Sequence, residues 1–352
     1  MVQRPDVTPP PTAASVRDTA ASIAAVQLAD GCIPWFPGAH ADPWNIVEGA
    51  MALTAGGLVD EARRAFRWLA RHQRRNGSWY SYYRDGAVED PTVDANFCAY
   101  IGTGLWHHTL ITDDDAFLAE MWPVVQRAVD YVVAQQGAGG EIPWARDRWG
   151  HQARRALLTS SSSIHLSLHC AVAAAERMGL DRPDWVSAAA ALAHAVAHRP
   201  ECFERKDRWS MDWYYPVLGG VVLGAAGRVR IAERWDTFVV EGLGVRCVAD
   251  RPWITSAETC ELVLALDAAD RVDDAWELFR WVQYLRDGAG GYWTGAVFPD
   301  GEHFPAEQST WSAAAAVLAA DALMELTPAS GLFRALHVAA ENEFLDAVAD
   351  SA

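Results

Sequence analysis

Apolar and polar positions alternate along this chain with helical periodicity. Six segments place Arg, Asp or Glu between apolar residues at a spacing near 3.6, which predicts amphipathic helices with one buried face. These segments are 16–28, 58–73, 114–136, 182–199, 230–241 and 272–287. We expect them to form an outer layer.

A second set of segments lies between the amphipathic ones and is rich in Ala, Gly, Leu and Val, with few charges. Such a composition is typical of helices that are covered on all sides. These segments are 43–56, 94–111, 161–178, 212–226, 256–270 and 308–324. Six inner and six outer helices in strict alternation predict an all-α fold, an (α/α)6 toroid with no substantial sheet and a central funnel. We expect one domain over 1–352, with a Pro-rich extension at 1–15 and an extra helix at about 331–350.

A Gly-rich turn that carries Trp follows four of the outer segments. The turns read "QLADGCIPW" (27–35), "QRRNGSWY" (73–80), "QQGAGGEIPW" (135–144) and "QYLRDGAGGYW" (283–293). Repeats of this kind indicate one structural unit used several times around a ring.

Composition limits which classes of binding partner and which cellular location we expect. The formal net charge of −17 disfavours an anionic nucleic acid or membrane surface as a partner. The six cysteines form no C-x-x-C pair, so their spacing supports neither a disulfide framework nor a thiolate metal site. The N-terminus lacks the apolar core of a secretory signal, and we expect a cytoplasmic protein without a metal or cofactor. The 17 Trp residues, many in polar loops, favour stacking on a ligand.

The repeated turns resemble those of the squalene-cyclase and protein-prenyltransferase superfamily, and the whole pattern is similar to that of the six-hairpin glycosidases. "DPWNIVEGAMAL", "SMDWYYPVLGG" and "RPWITSAETCELVLALDA" also resemble an actinobacterial group commonly labelled "prenyltransferase". Resemblance to that group implies hydrolysis of methylated mannose polysaccharides, and the prenyl label reflects the shared toroid rather than shared chemistry.

Prenyl chemistry has little support in the residues themselves. "TDDDAF" at 112–117 is the nearest approach to the acidic motif of a terpene cyclase, but it is placed to cap an outer helix. No Asp-x-Cys zinc motif begins an inner segment. His165 and His169 lie one helical turn apart, yet no third ligand follows at metal-site spacing, so a core or sugar-binding role is favoured.

The beginnings of the inner segments collect acidic, amide and aromatic residues, which is the mixture expected for carbohydrate recognition. The predicted substrate-binding residues are His40, Trp44, Asn45, Asp94, Asn96, His165, Asp212, Trp213, Tyr214, Trp253, Trp293, Gln308 and Trp311. An oligosaccharide or polysaccharide is therefore the expected partner.

Glycosidic cleavage needs two carboxyl groups, and Asp42 and Glu258 are the predicted pair. Each has a structural alternative, because Asp42 precedes Pro43 as an N-cap would and Thr255 with Glu258 has capping-box spacing. Both are flanked by Trp at the start of an inner segment, which favours function. Glu48, Glu261 and Glu307 are the alternates, of which Glu307 also suits a helix N-terminus.

The sequence thus predicts a glycoside hydrolase that cleaves an α-linked glycan by acid/base catalysis, with inversion. The resemblance specifies an endo-α-mannosidase acting on 3-O-methylmannose polysaccharide. A terpenoid cyclase or prenyltransferase and a non-catalytic glycan-binding toroid remain the alternatives.

Overall fold

The computed structural model describes residues 11–337. The first ten residues of the predicted extension lie outside this range, as does most of the predicted final helix. Within the range, residues 13–15 of that extension belong to the first helix, which Thr12 caps by accepting a hydrogen bond from the amide of Ser15.

The described chain consists mainly of helices. In order they are α1 Ala13–Val26, α2 Pro43–Ala55, α3 Val59–His72, α4 Ala95–Ala99, α5 Ile101–Thr112, α6 Asp115–Val133, α7 Leu158–Arg177, α8 Pro183–His198, α9 Met211–Leu218, α10 Gly224–Glu233, α11 Trp235–Phe238, α12 Ser256–Ala268, α13 Val272–Val282 and α14 Thr310–Met324. None of these helices is both long and apolar enough to cross a lipid bilayer.

The inner layer is a closed ring. Helix α2 packs on α5, α5 on α7, α7 on α9, α9 on α12, α12 on α14, and α14 returns to α2. Every residue of α12 is buried, and α2 is buried apart from its last residue, as the charge-poor composition predicted. Because α4 continues into α5, and α10 into α11, the helices fill six inner and six outer places. The predicted toroid is confirmed.

The outer layer consists of α1, α3, α6, α8, α10 with α11, and α13. Helix α3 buries only one face, formed by Ala62, Ala65, Phe66, Trp68 and Leu69. This spacing follows the helical period, and Arg64 and Arg67 between these positions are exposed.

The repeated turns join each outer helix to the next. Gln27 donates to the carbonyl of Glu61 in α3, Gln73 to Val124 in α6, and Gln136 to Ala188 in α8. A glycine four residues after each Gln allows this close approach. At Gly77, for example, a Cβ atom would lie 2.0 Å from the carbonyl oxygen of Arg127.

Two inner segments differ from the prediction. The second inner helix bends at Tyr100, between α4 and α5. The fourth was expected over 212–226 but ends at Leu218, because Gly219 packs against the carbonyl of Ser162 and Gly220 has a φ of 70°. The next outer helix therefore begins at Gly224, earlier than the expected residue 230.

Short strands connect the helices, and the expectation of no substantial sheet needs revision at one place. The strands are β1 Tyr82–Arg84, β2 Ala87–Asp90, β3 Val93–Asp94, β4 Ala145–Arg146, β5 Val239–Val240, β6 Gly244–Arg246, β7 Trp253–Thr255, β8 Gly295–Val297 and β9 Glu302–His303. Strands β5 to β9 form an antiparallel five-stranded sheet in sequential order. Strands of two or three residues carry too few alternating positions for the sequence pattern to reveal them.

Candidate active site

The first turns of the inner helices surround a funnel-shaped cavity of about 400 Å³. Helices α2, α4, α7, α9 and α14 all contribute, together with the loops that enter them. The wall residues are Trp35, Asp42, Trp44, Asn45, Tyr82, Asn96, Phe97, Leu157, Thr159, Ser160, Lys206, Trp209, Met211, Asp212, Tyr215 and Trp311. The structure thus brings together six of the predicted site residues: Asp42, Trp44, Asn45, Asn96, Asp212 and Trp311.

Asp42 is the N-cap of α2 and also lies on the funnel wall. Its Oδ1 accepts the amide of Asn45 at 2.8 Å, and its Oδ2 accepts the indole N–H of Trp35 at 2.6 Å. A helix N-terminus favours the anion, but burial outweighs these interactions and raises the pKa of Asp42 to about 6. At neutral pH the carboxylate is still mostly ionised and is a competent base.

Aromatic rings form one side of the funnel. Trp44 stacks on Tyr100 with ring centres 5.0 Å apart and meets Trp311 edge-on at 5.7 Å. The indole nitrogens of Trp44 and Trp311 are buried and have no hydrogen-bond partner in the described chain. The wall therefore offers aromatic faces, while these two indole nitrogens are shielded from solvent.

A second cluster of polar residues lies beside Asp42. Asp94 caps α4 by accepting hydrogen bonds from the amides of Asn96 and Phe97. Burial raises the pKa of Asp94 to about 7, and repulsion from Asp42 adds a smaller upward shift. The Oδ1 atom of Asn96 is buried and has no partner among the described residues. His40 packs on Tyr82 at 4.2 Å, and burial lowers the pKa of His40.

Glu48 and Glu261 line a smaller cavity whose wall shares Trp44 and Tyr215 with the funnel. The hydroxyl of Tyr100 donates to Glu48, while those of Tyr214 and Tyr215 donate to Glu261. Burial raises the pKa of Glu48 to about 7 and that of Glu261 well above its ordinary value. These carboxyls are held in fixed positions behind the funnel wall.

Glu258 lies in the first turn of α12, the inner helix between α9 and α14. Its side chain is buried near Cys247, Tyr214 and Glu261, and it forms a hydrogen bond with the Cys247 thiol. The capping box suggested by the sequence is not formed, because Thr255 makes no side-chain cap and is engaged opposite Gly295 in the sheet. The capping explanation for Glu258 is therefore lost, and Glu258 is not among the described residues that line the funnel.

Four of the predicted binding residues on this side of the ring do not line the funnel and contact other parts of the protein instead. Trp213 stacks on Phe238, and Tyr214 is fully buried behind its neighbour Tyr215, which is the residue on the wall. The indole N–H of Trp253 donates to Phe304, and Trp293 stacks on His303.

The remaining candidates lie in turns or within the helix layers. The side chain of Gln308 donates to Asp287 at 2.7 Å. Glu307 lies two residues before Ser309, which is the actual N-cap of α14, so it does not occupy the expected helix terminus. His165 pairs through Nδ1 with the carbonyl of Gly219 at 2.7 Å and faces His169 at 3.2 Å; burial lowers its pKa to about 4. Among the described residues no three His, Cys, Asp or Glu side chains form a group able to hold a metal.

Several wall residues were not predicted from sequence. Trp35 ends the first repeated turn, and Trp209 lies in the loop just before α9. The abundance of Trp in polar loops was therefore a signal that could have identified both. Tyr82 and Lys206 come from loops whose course the periodicity of the helices does not define.

Comparison with known proteins supports a glycosidase. No family model matches the chain. The chain is 53% identical over 322 residues to the "MMP endo-(1,4)-3-O-methyl-alpha-D-mannosidase" of Mycolicibacterium hassiacum. The matched region covers 92% of this chain and 89% of the relative.

Solved structures share the fold at low identity. A wild-type glycosidase superposes with a TM-score of 0.68 at 17% identity, covering 90% of this chain and 97% of that one. A bacterial glucoamylase bound to acarbose superposes with a TM-score of 0.67 at 12% identity, covering 92% of this chain and 57% of the glucoamylase. A D-mannose isomerase superposes with a TM-score of 0.65 at 12% identity, covering 87% of this chain and 96% of the isomerase. Because one fold carries these different activities, the fold alone does not define the reaction. The sequence relative does so: the expected glycoside hydrolase is confirmed, and the chain belongs to the family of the MMP endo-(1,4)-3-O-methyl-alpha-D-mannosidase.

Proposed function

We propose that this protein cleaves internal α-(1→4) bonds of a 3-O-methylmannose polysaccharide. The observation that carries the proposal is the funnel wall, where Asp42 lies among the aromatic side chains of Trp35, Trp44 and Trp311. Aromatic faces stack on sugar rings, and O-methyl groups add apolar surface that suits such faces. The name of the 53% identical relative supports this substrate class.

The proposed reaction is a single displacement at the anomeric carbon. Asp42 takes a proton from a water molecule whose oxygen bonds to C1, while Glu258 donates a proton to the glycosidic oxygen as its bond to C1 breaks. The products are two shorter chains, one with a new reducing end of inverted configuration. Water is the only co-reactant.

The surroundings of Asp42 support its role, whereas the role of Glu258 is proposed from its place at the start of an inner helix. Asp42 lies on the funnel wall, with a pKa of about 6 that keeps it ionised at neutral pH. Glu258 is buried at the start of the helix that completes the ring, and no capping bond accounts for it. Glu48 and Glu261 are held by tyrosine hydroxyls behind the wall, which suits support of the site rather than proton transfer to substrate.

The cysteines support a location in the cytoplasm. All six are free, and five of them are buried. Thiols of this kind persist in a reducing compartment, and we therefore assign the enzyme to the cytoplasm.

A substrate panel tests the proposed function. Purified protein is incubated with α-(1→4)-linked 3-O-methylmannose oligosaccharides, their unmethylated counterparts and maltooligosaccharides, and reducing ends and product sizes are followed over time. We expect early products of intermediate length and faster cleavage of the methylated series. Release of single terminal sugars contradicts internal cleavage, and binding without turnover of any member selects the glycan-binding toroid.

A further inference from the structure

A second cavity lies beside the funnel. Its volume is about 370 Å³, comparable with the funnel and within the usual range of ligand sites of about 300–1,000 Å³. It opens between the C-terminal part of α8, the beginning of α9 and the C-terminal part of α10. We call it the side groove.

Only a thin wall separates the side groove from the funnel. Lys206 and Asp212 line both cavities, and the consecutive residues Leu157 and Leu158 line one each. Asp212 is fixed by the hydroxyl of Thr159 at 2.7 Å. The side chain of Lys206 is 43% exposed, and among residues 11–337 its one ion pair, with Glu204, is long at 3.7 Å. Because a partly exposed lysine has many accessible rotamers, Lys206 can move aside and join the two spaces.

The chemistry of the side groove suits a neutral, partly apolar ligand. It is lined by four basic and four acidic residues, so the charges balance and an anion gains no net attraction. The basic groups are already engaged: Arg205 pairs with Asp207 at 2.9 Å, and Arg230 donates to the carbonyls of Asp212 and Trp213. The remaining wall is apolar and includes Ala197, Phe203 and Trp213.

We propose that the side groove is a distal subsite for the same polysaccharide, holding methylated sugars of the chain that extends beyond the funnel past Lys206. This inference rests on the proposed function, because an enzyme that cuts within a polymer must accommodate chain on both sides of the cleaved bond. Apolar surface in the groove contacts the O-methyl groups, and the balanced charged rim contacts hydroxyls.

The test fills the groove without touching the funnel. Ala197 is an exposed residue of α8 on the groove wall, and Ala190 is an exposed residue of the same helix that is not on it. Ala197→Trp and the matched control Ala190→Trp are compared on a long methylated polysaccharide and on a fragment short enough for the funnel alone. The readout is the ratio of kcat/KM for the long substrate to that for the short one.

We expect Ala197→Trp to lower this ratio by about tenfold or more through a higher KM for the long substrate, since binding is lost equally in the ground and transition states. Ala190→Trp keeps the parent ratio. Arg205→Trp, which fills the groove from the opposite loop, provides a second variant if Ala197→Trp does not fold.

An unchanged ratio in a folded groove variant overturns the distal subsite while leaving the hydrolase intact. Equal losses on both substrates also overturn it, because a distal subsite affects only the long chain. If the parent protein cleaves neither substrate, the proposed function fails first and the inference fails with it.

Discussion

Asp42 caps a helix and faces the funnel at the same time. Asp followed by Pro at the start of an inner segment predicted the cap, and the structure confirms it through Oδ1. The second oxygen is engaged by Trp35, seven residues earlier in a loop, which no helical pattern predicts. Sequence also could not weigh burial against the helix terminus, and burial raises the pKa.

The raised pKa predicts the acid side of the pH profile. Asp42 must be ionised to act as a base, so kcat/KM should fall about tenfold per pH unit below a pKa of about 6. Above that value the carboxylate is charged and this dependence disappears. The check is kcat/KM from pH 4 to pH 8 on a short oligosaccharide. An acid limb centred near pH 4, about the value of an exposed aspartate, would show that Asp42 is not the titrating base.

Trp311 tests the aromatic faces of the wall. Trp311→Ala removes one of these faces, so we expect a several-fold higher KM with kcat nearly unchanged, because stacking stabilises the ground and transition states equally. Steady-state kinetics on the methylated oligosaccharide measure both constants. Trp149→Ala is the control, because Trp149 is 76% exposed and does not line the funnel. Equal KM values for the two variants would contradict a sugar contact at Trp311.

Which of two neighbouring residues faces the funnel is difficult to predict from sequence. Successive helical residues point about 100° apart, so a small error in helix rotation exchanges wall and core. Tyr214 was the predicted contact, whereas the structure puts Tyr215 on the wall and Tyr214 behind it. Both hydroxyls still meet at Glu261.

At the scale of elements, the repeated turn is the most regular device in the molecule. Three copies use Gln, but in the fourth copy Arg286 replaces it, donating to the carbonyl of Ser15 in α1 and so linking the last outer helix to the first. The sequence pattern located the fourth turn through Gln283, whose side chain instead donates to Phe279. A change of residue type at the ring closure cannot be recognised without the position of the partner helix.

Gln73 tests whether these turns stabilise the ring. Gln73→Ala removes hydrogen bonds to Gly77 and Val124 at 2.9 and 2.8 Å and leaves Arg127 without its acceptor. We expect the free energy of unfolding to fall by about 1–3 kcal/mol, with activity per folded molecule unchanged. Urea denaturation provides the measurement. Gln126→Ala, on the exposed side of α6, should cost less than about 0.5 kcal/mol, and equal effects of the two changes would contradict the role of the turn.

At the scale of the whole molecule, periodicity was enough to predict the ring, because inner and outer helices differ in how much of their surface is buried. Helices α3 and α12 show the contrast, one with a single buried face and the other buried throughout. The funnel wall was predicted only in part, since Lys206, Trp209 and Tyr82 reach it from loops. The side groove is lined partly by the loop residues Phe203 to Asp207, whose course the helical pattern does not define.

The most direct test of the central claim is turnover of a 3-O-methylmannose polysaccharide by Asp42→Asn and Glu258→Gln, with Glu277→Gln on the exposed face of α13 as the control. Each change keeps the side-chain shape but removes its proton chemistry, so kcat should fall by at least about 10²–10⁴-fold while the melting temperature stays near that of the parent. The control should retain full turnover. Near-normal turnover in both folded variants would contradict the assignment and make Glu48, Glu261 and Glu307 the next residues to change.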